Sequence, residues 1–145
     1  MFEQLDTILP GIFAGASVAY LWLAVRVSRA SAEASVNSVS HFLLLIGTMT
    51  AGSAFAYNAT DPTIYGIGRT LTFFSAGFLP VVLYNIYREY TVGKAPRLLV
   101  GLLSVIPLVS TVLAMTNDLH SMIWSVVEID GEIRFTEPDE HLWFK

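Results

Sequence analysis

Along this chain, charge and apolarity alternate on a scale of about twenty residues. Stretches 7–25, 34–60, 70–87 and 98–117 contain no Asp, Glu, Lys or Arg. Each is close to the roughly 20 residues that a helix needs to cross a hydrocarbon core of about 30 Å. No water inside lipid satisfies a backbone amide, so each stretch must hydrogen-bond to itself as a helix. The pattern predicts spans near 7–28, 36–58, 64–88 and 97–117 or slightly beyond. The connections read as short polar turns: "RASAEAS" at 29–35, "TDPT" at 60–63 and "VGKAPR" at 92–97. Asp-Pro favours turn initiation, and Pro96 suits the start of a helix.

The pattern changes after Trp124. In "VVEIDGEIRF" (126–135) apolar and charged residues roughly alternate on both sides of Asp130-Gly131. Asp-Gly is a two-residue hairpin signal, because both central positions take positive φ. "EPDEHLWFK" then leads into Leu142, Trp143 and Phe144. A Trp at an interface is how another membrane helix begins, so a fifth span is expected to start here.

Composition agrees with this reading. The 145 residues are 54% hydrophobic and 14% charged, with mean hydropathy +0.59, against about 25% charged in a soluble domain. The expected fold class is an all-α integral membrane protein. It comprises a four-transmembrane-helix bundle, part of a seven-helix domain, with a small extracellular β-hairpin. Residues 1–125 form the transmembrane region; residues 126–145 form the hairpin and the start of a fifth span. The acidic opening "MFEQLD" lacks the basic region of a signal peptide, so the first span is read as retained. There is no Cys, which removes disulfides and thiolate metal sites.

Charge placement orients the spans. Arg26 and Arg29 lie between spans one and two; Arg88, Lys94 and Arg97 lie between spans three and four. The opposite side holds Arg69, Arg134 and Lys145. The positive-inside rule makes the two basic loops cytoplasmic and puts the amino terminus outside. The expected location is the cytoplasmic (inner) membrane of a prokaryote, as a multi-pass protein.

Polar residues at the outer ends of spans three and four are the candidate site. Arg69, Phe73, Ala76 and Pro80 fall on one face of span three. Arg69 either snorkels to head groups or anchors an anionic group or Asp118. Pro80 and Pro107 each remove a helical hydrogen bond and are expected to kink spans three and four. The uncharged run 98–117 ends in "TNDLHSMIW" (116–124). There Asn117, His120 and Trp124 are spaced as one helix face. They either line a ligand- or signal-sensing site or mark a capped interfacial helix with Trp124 in the aromatic belt. "GIFAG" (11–15) is a GxxxG that admits close approach of another helix. "YNIYREY" (84–90) forms an aromatic and basic junction at the cytoplasmic face.

No cofactor is predicted. His41 lies on the order of 8 Å from the inner edge and His120 on the order of 30 Å, so they cannot share a haem. Lys94 and Lys145 are the only lysines, and neither lies mid-membrane for a retinal Schiff base. Asp118, His120, Glu140 and His141 match no metal-binding spacing.

The Pro-containing span that leads into Thr116, Asn117, His120 and Trp124, with the later "HLWF", resembles the N-terminal seven-transmembrane region of sensor histidine kinases. "GRTLTFFSAGFLPVVLYNIYREYTV" (68–92) is similar to that family's third span, with an Arg near the outer end and a Pro toward the middle. The resemblance covers the first four of seven spans. It implies a membrane sensory input module of a two-component signal-transduction protein, truncated before its output domain and carrying no catalytic kinase domain. His120 lies outside and cannot be a cytoplasmic phospho-acceptor. The expected partners are the lipid bilayer, the remaining C-terminal spans and a cytoplasmic output domain. A homodimer is left open, and nothing points to nucleic acid. The alternative is a stand-alone four-helix membrane protein with a structural or complex-assembly role, packed through Gly11, Gly15, Gly47 and Ala51. No mid-membrane acid, base or ion-coordinating cluster favours an enzyme or transporter.

Overall fold

The computed structural model describes residues 2–30, 34–129 and 132–136. Four long helices run in chain order: α1 (Phe2–Ala30), α2 (Ala34–Tyr57), α3 (Pro62–Thr91) and α4 (Arg97–Met115). A single turn of helix, α5 (Asn117–His120), follows, then strands β1 (Ser125–Ile129) and β2 (Glu132–Thr136). Among the described residues four segments are long and apolar enough to span a membrane: Ile8–Ala30, Val36–Tyr57, Pro62–Thr91 and Arg97–Met115. β1 and β2 pair antiparallel, from Ser125 opposite Thr136 to Ile129 opposite Glu132. Asp130, Gly131 and the expected start of a fifth span lie outside the described residues.

Local chemistry fixes the helix ends. Asp61 is the N-cap of α3: its Oδ1 accepts from the amides of Thr63 at 2.7 Å and Ile64 at 3.3 Å. Pro62 follows at the first helical position, where a missing N–H costs nothing. Those two amides and the Thr63 hydroxyl hold the exposed Asp61 carboxyl below its ordinary value of 3.8. At the other end Gly93 takes φ 105 and donates to the Arg88 carbonyl at 2.8 Å. That left-handed position suits glycine.

The helices pack as an open row rather than the closed bundle expected from four spans. α1 lies on α2, α2 on α3 and α3 on α4. α1 and α4 do not close against one another, and no more than 22% of any span is buried. Lipid tails are as apolar as Leu, so no hydrophobic force gathers these helices. Contact instead follows small residues and hydroxyls. Ser17 donates to the Gly47 carbonyl at 2.9 Å and Ser40 to the Ala24 carbonyl at 2.8 Å, tying α1 to α2. Between α2 and α3 the backbones nearly touch. A Cβ on Gly68 would meet the Ala56 amide nitrogen and the Gly52 carbonyl at 2.6 Å. Between α3 and α4, Gly77 faces Pro107 so closely that a Cβ would lie 2.8 Å from the proline ring.

This differs in part from the packing residues read in the sequence. Gly47 does seat α1, because a Cβ there would lie 2.9 Å from Leu21. A Cβ on Gly11 or Gly15 would meet nothing within 4 Å among the described residues, and it is Phe13, between them, that stacks on Tyr57 of α2 at 5.6 Å. α2 also meets α1 through Ser17, Leu21 and Ala24.

Candidate functional site

α3 begins and α4 ends at the same end of the row, and the segment after α4 is bound there by Asn117. Its side chain is 3% exposed and makes three hydrogen bonds. Nδ2 donates to the Trp124 carbonyl at 2.8 Å. Oδ1 accepts from the amides of Ile123 at 2.9 Å and Trp124 at 3.3 Å. Asn offers both a donor pair and an acceptor, and here both halves are used on one strand entry. The chain must therefore turn back after His120. It does so through Ser121 at φ 49, whose amide donates to the Asn117 carbonyl.

Asn117, His120 and Trp124 are consequently not one helix face. α5 stops at His120, and the reversal, not a helical register, brings Trp124 back. Thr116 occupies the N-cap position of α5 but makes no side-chain cap. Its hydroxyl donates to the Val112 carbonyl at 2.8 Å.

His120 braces the same turn. Its Nδ1 accepts from the Met122 amide at 3.0 Å, and its Nε2 lies 3.2 Å from Thr116 Oγ1. The Thr116 proton is already directed at Val112, so the network assigns Nε2 as the protonated nitrogen and Nδ1 as the bare one. The imidazole is therefore neutral in this arrangement. It bridges the last turn of α4 to the residue after the reversal.

Trp124, 3% exposed, lies against α3. Its ring meets Tyr65 edge-on, with centroids 5.9 Å apart and planes at 79°, a favoured aromatic geometry. Gly66 lies beside the ring: a Cβ there would sit 3.8 Å from it, in ordinary contact. Sequence reasoning missed Tyr65 and Gly66, although both sit one turn from Arg69 in "YGIGR".

Arg69 is half-buried. Its guanidinium stands 5.9 Å from the Tyr65 ring centroid and 5.5 Å from that of Phe73, so two aromatic faces share its charge. Nε is buried without a hydrogen bond. Among the described residues no ion pair joins Arg69 to Asp118. Tyr65 thus touches both Arg69 and Trp124.

A cleft of about 310 Å³ opens between the start of α3 and the end of α4. Pro62, Gly66, Ile67 and Leu71 form one wall; Ala114 and Met115 form the other. Thr63, Thr70, Asp118 and Trp124 supply its polar atoms. Arg69, Asn117 and His120 do not line it. Pro80 and Pro107 lie inside continuous helices, and His41 is exposed on α2. Among the described residues no cluster of His, Asp and Glu could hold a metal ion.

Residues 7–145 match the family described as the N-terminal 7TM region of histidine kinase. The chain belongs to that family. No curated protein and no solved structure matches it. The matched region of these histidine kinases is their N-terminal membrane region and not the catalytic kinase domain. Among the described residues there are four candidate spans where the family description counts seven.

Proposed function

We propose that this chain is the sensory input module of a two-component signal-transduction protein, with its detector end outside a prokaryotic cytoplasmic membrane. The carrying observation is the family match over 7–145, on a chain whose α3–α4 end is held in one arrangement by Asn117. A bare helix end needs no buried asparagine, whereas a detector needs an element with a defined resting geometry. Arg69, Asn117, His120 and Trp124 are its candidate residues: Asn117 and His120 hold the turn, and Trp124 and Arg69 couple it to α3.

Five of the eight basic residues, Arg26, Arg29, Arg88, Lys94 and Arg97, fall in or beside the α1–α2 and α3–α4 connections at the opposite end. That bias supports an outside amino terminus and an outside β1–β2 pair. Pro80 and Pro107 each lack an amide proton, which gives α3 and α4 points at which to bend as the outer end rearranges. The signal would leave through Tyr84, Tyr87 and Arg88 toward a cytoplasmic output domain of the same protein.

The test is genetic. A deletion strain is complemented with the wild-type gene, Asn117→Ala or His120→Ala, and membrane level and transcriptome are compared. The sensory reading expects both variants to reach the membrane and to shift the transcripts that the deletion shifts. Wild-type transcript profiles from both would leave a stand-alone structural membrane protein as the better account.

A further inference from the structure

Asp118, Thr70 and Trp124 line the α3–α4 cleft. Asp118 brings a carboxylate and Thr70 a hydroxyl, and among the described residues neither side chain makes a hydrogen bond, nor does the Trp124 indole N–H. Thr63, the remaining polar wall residue, donates its amide to Asp61. The other six lining residues, Pro62, Gly66, Ile67, Leu71, Ala114 and Met115, present carbon. No Lys, Arg or His lines the cleft, and the nearest basic group on α3, Arg69, is stacked on Tyr65 and Phe73 instead.

We propose that this cleft binds an organic ammonium ion carrying a compact apolar body. The assignment rests on the sensory reading of this end of the molecule and names the class of ligand it would take. A carboxylate can only accept, so its partner must be a donor. The Trp124 indole N–H is itself a donor, so it takes no part in holding the ammonium. Thr70 can accept a second ammonium proton. The apolar walls run from Pro62 to Leu71, about 14 Å along the helix axis at 1.5 Å per residue, and receive the hydrocarbon part. The volume of about 310 Å³ stands at the lower end of the roughly 300–1,000 Å³ typical of small-molecule sites. Asp118 follows α4 at the outer end, so the ammonium sits at the water interface with the body pointing into the outer leaflet. A free alkylamine and the ammonium head group of an ethanolamine lipid share this chemistry.

The experiment uses the purified full-length protein in phosphatidylglycerol nanodiscs, which contain no lipid amine. Trp124 fluorescence is read in a Trp22→Phe, Trp143→Phe background during titration with n-hexylamine, 1-hexanol and hexanoate. The proposal expects a saturable response to hexylamine at about tenfold lower concentration than to hexanol, in line with a charge-assisted hydrogen bond, and none to hexanoate. Asp118→Asn should erase the preference for the amine and leave the melting temperature unchanged, because Asp118 is exposed and its carboxylate makes no hydrogen bond among the described residues. Equal responses to hexylamine and hexanol, or an amine preference that survives in Asp118→Asn, would overturn it and leave a groove for lipid tails. Repeating the titration with phosphatidylethanolamine added separates the sources. Suppression of the hexylamine response assigns the site to the lipid head group; an unchanged response assigns it to a free amine. The transcript test above is independent of this one. An amine-binding cleft in a protein whose Asn117 and His120 variants signal normally would sink the sensory reading alone. Absence of amine binding with altered signalling would sink this proposal alone.

Discussion

Asn117 holds Trp124 through both peptide groups that flank its Cα: Nδ2 donates to the Trp124 carbonyl at 2.8 Å and Oδ1 accepts from the Trp124 amide at 3.3 Å. The Ile123 amide adds a third bond at 2.9 Å. Asn117→Ala leaves these buried backbone groups unpaired, at a cost of about 1–3 kcal/mol. The expected outcome is a lower melting temperature and a Trp124 emission shifted toward that of solvent-exposed indole. Asn117→Asp keeps the acceptor and loses the donor, so it should fall between the two. Emission identical to wild type in Asn117→Ala would show that Tyr65 and Gly66 seat the indole unaided.

His120 carries its proton on Nε2 because the Met122 amide points at Nδ1. Nitrogen-15 NMR of the labelled imidazole should show one protonated nitrogen, assigned to Nε2, and a bare Nδ1. His120→Ala removes the brace and should raise hydrogen exchange at the Met122 amide without altering exchange in α1 or α2. A protonated Nδ1 would refute the network described around Thr116.

How legible this molecule is in its sequence differs from element to element. The spans were legible because lipid tolerates so few charges that four uncharged windows suffice to locate them. The start of α3 was legible from Asp61-Pro62, whose cap and N1 proline are local chemistry. The Asn117–Trp124 pairing was half legible. The residue types and their spacing singled out the right side chains, but a helical period placed them on one face. Ser121 at positive φ and the two-sided use of Asn117 produce the reversal, and neither has a reliable signature in residue order. Packing was the least legible part. In "GIFAG" the two glycines meet nothing and the Phe between them makes the contact, with Tyr57, whereas Gly52 and Gly68, in different helices, bring their backbones together. Which stripe of a membrane helix meets its neighbour depends on both partners at once.

That contact makes a ranked prediction. Gly68→Ala or Gly52→Ala puts a Cβ 2.6 Å from opposing backbone, which cannot move aside as a side chain can. Overpacking of this kind costs about 1–3 kcal/mol. Gly11→Ala and Gly15→Ala meet nothing within 4 Å. Thermal unfolding in detergent should separate the two pairs clearly. If Gly11→Ala proves as damaging as Gly68→Ala, the α1 glycines pack against a second copy or another span.

Asp61 gives the start of α3 a pH dependence of known sign. Two amides and the Thr63 hydroxyl hold its carboxyl below 3.8, so the folded state favours the ionised form more than the unfolded state does. The contribution is fully present above the ordinary carboxylate value and is lost as pH falls below 3.8 through the lowered one. Melting temperature should therefore drop more steeply over this acidic range in the wild type than in Asp61→Asn, which caps without titrating. Parallel profiles would assign the acid sensitivity to other carboxylates.

Topology can be read without disturbing the native sequence, because the chain contains no cysteine. Thr60→Cys lies in the turn before α3, and Lys94→Cys in the turn before α4; both positions are exposed. The distribution of Arg26, Arg29, Arg88, Lys94 and Arg97 favours a cytoplasmic α3–α4 turn. A membrane-impermeant maleimide should then label Thr60→Cys in intact cells and Lys94→Cys only after permeabilisation. The reverse pattern would place the Asn117 turn and the cleft inside. The candidate detector would then face the cytoplasm, and an extracellular signal could not reach Asp118 or Trp124 without crossing the bilayer.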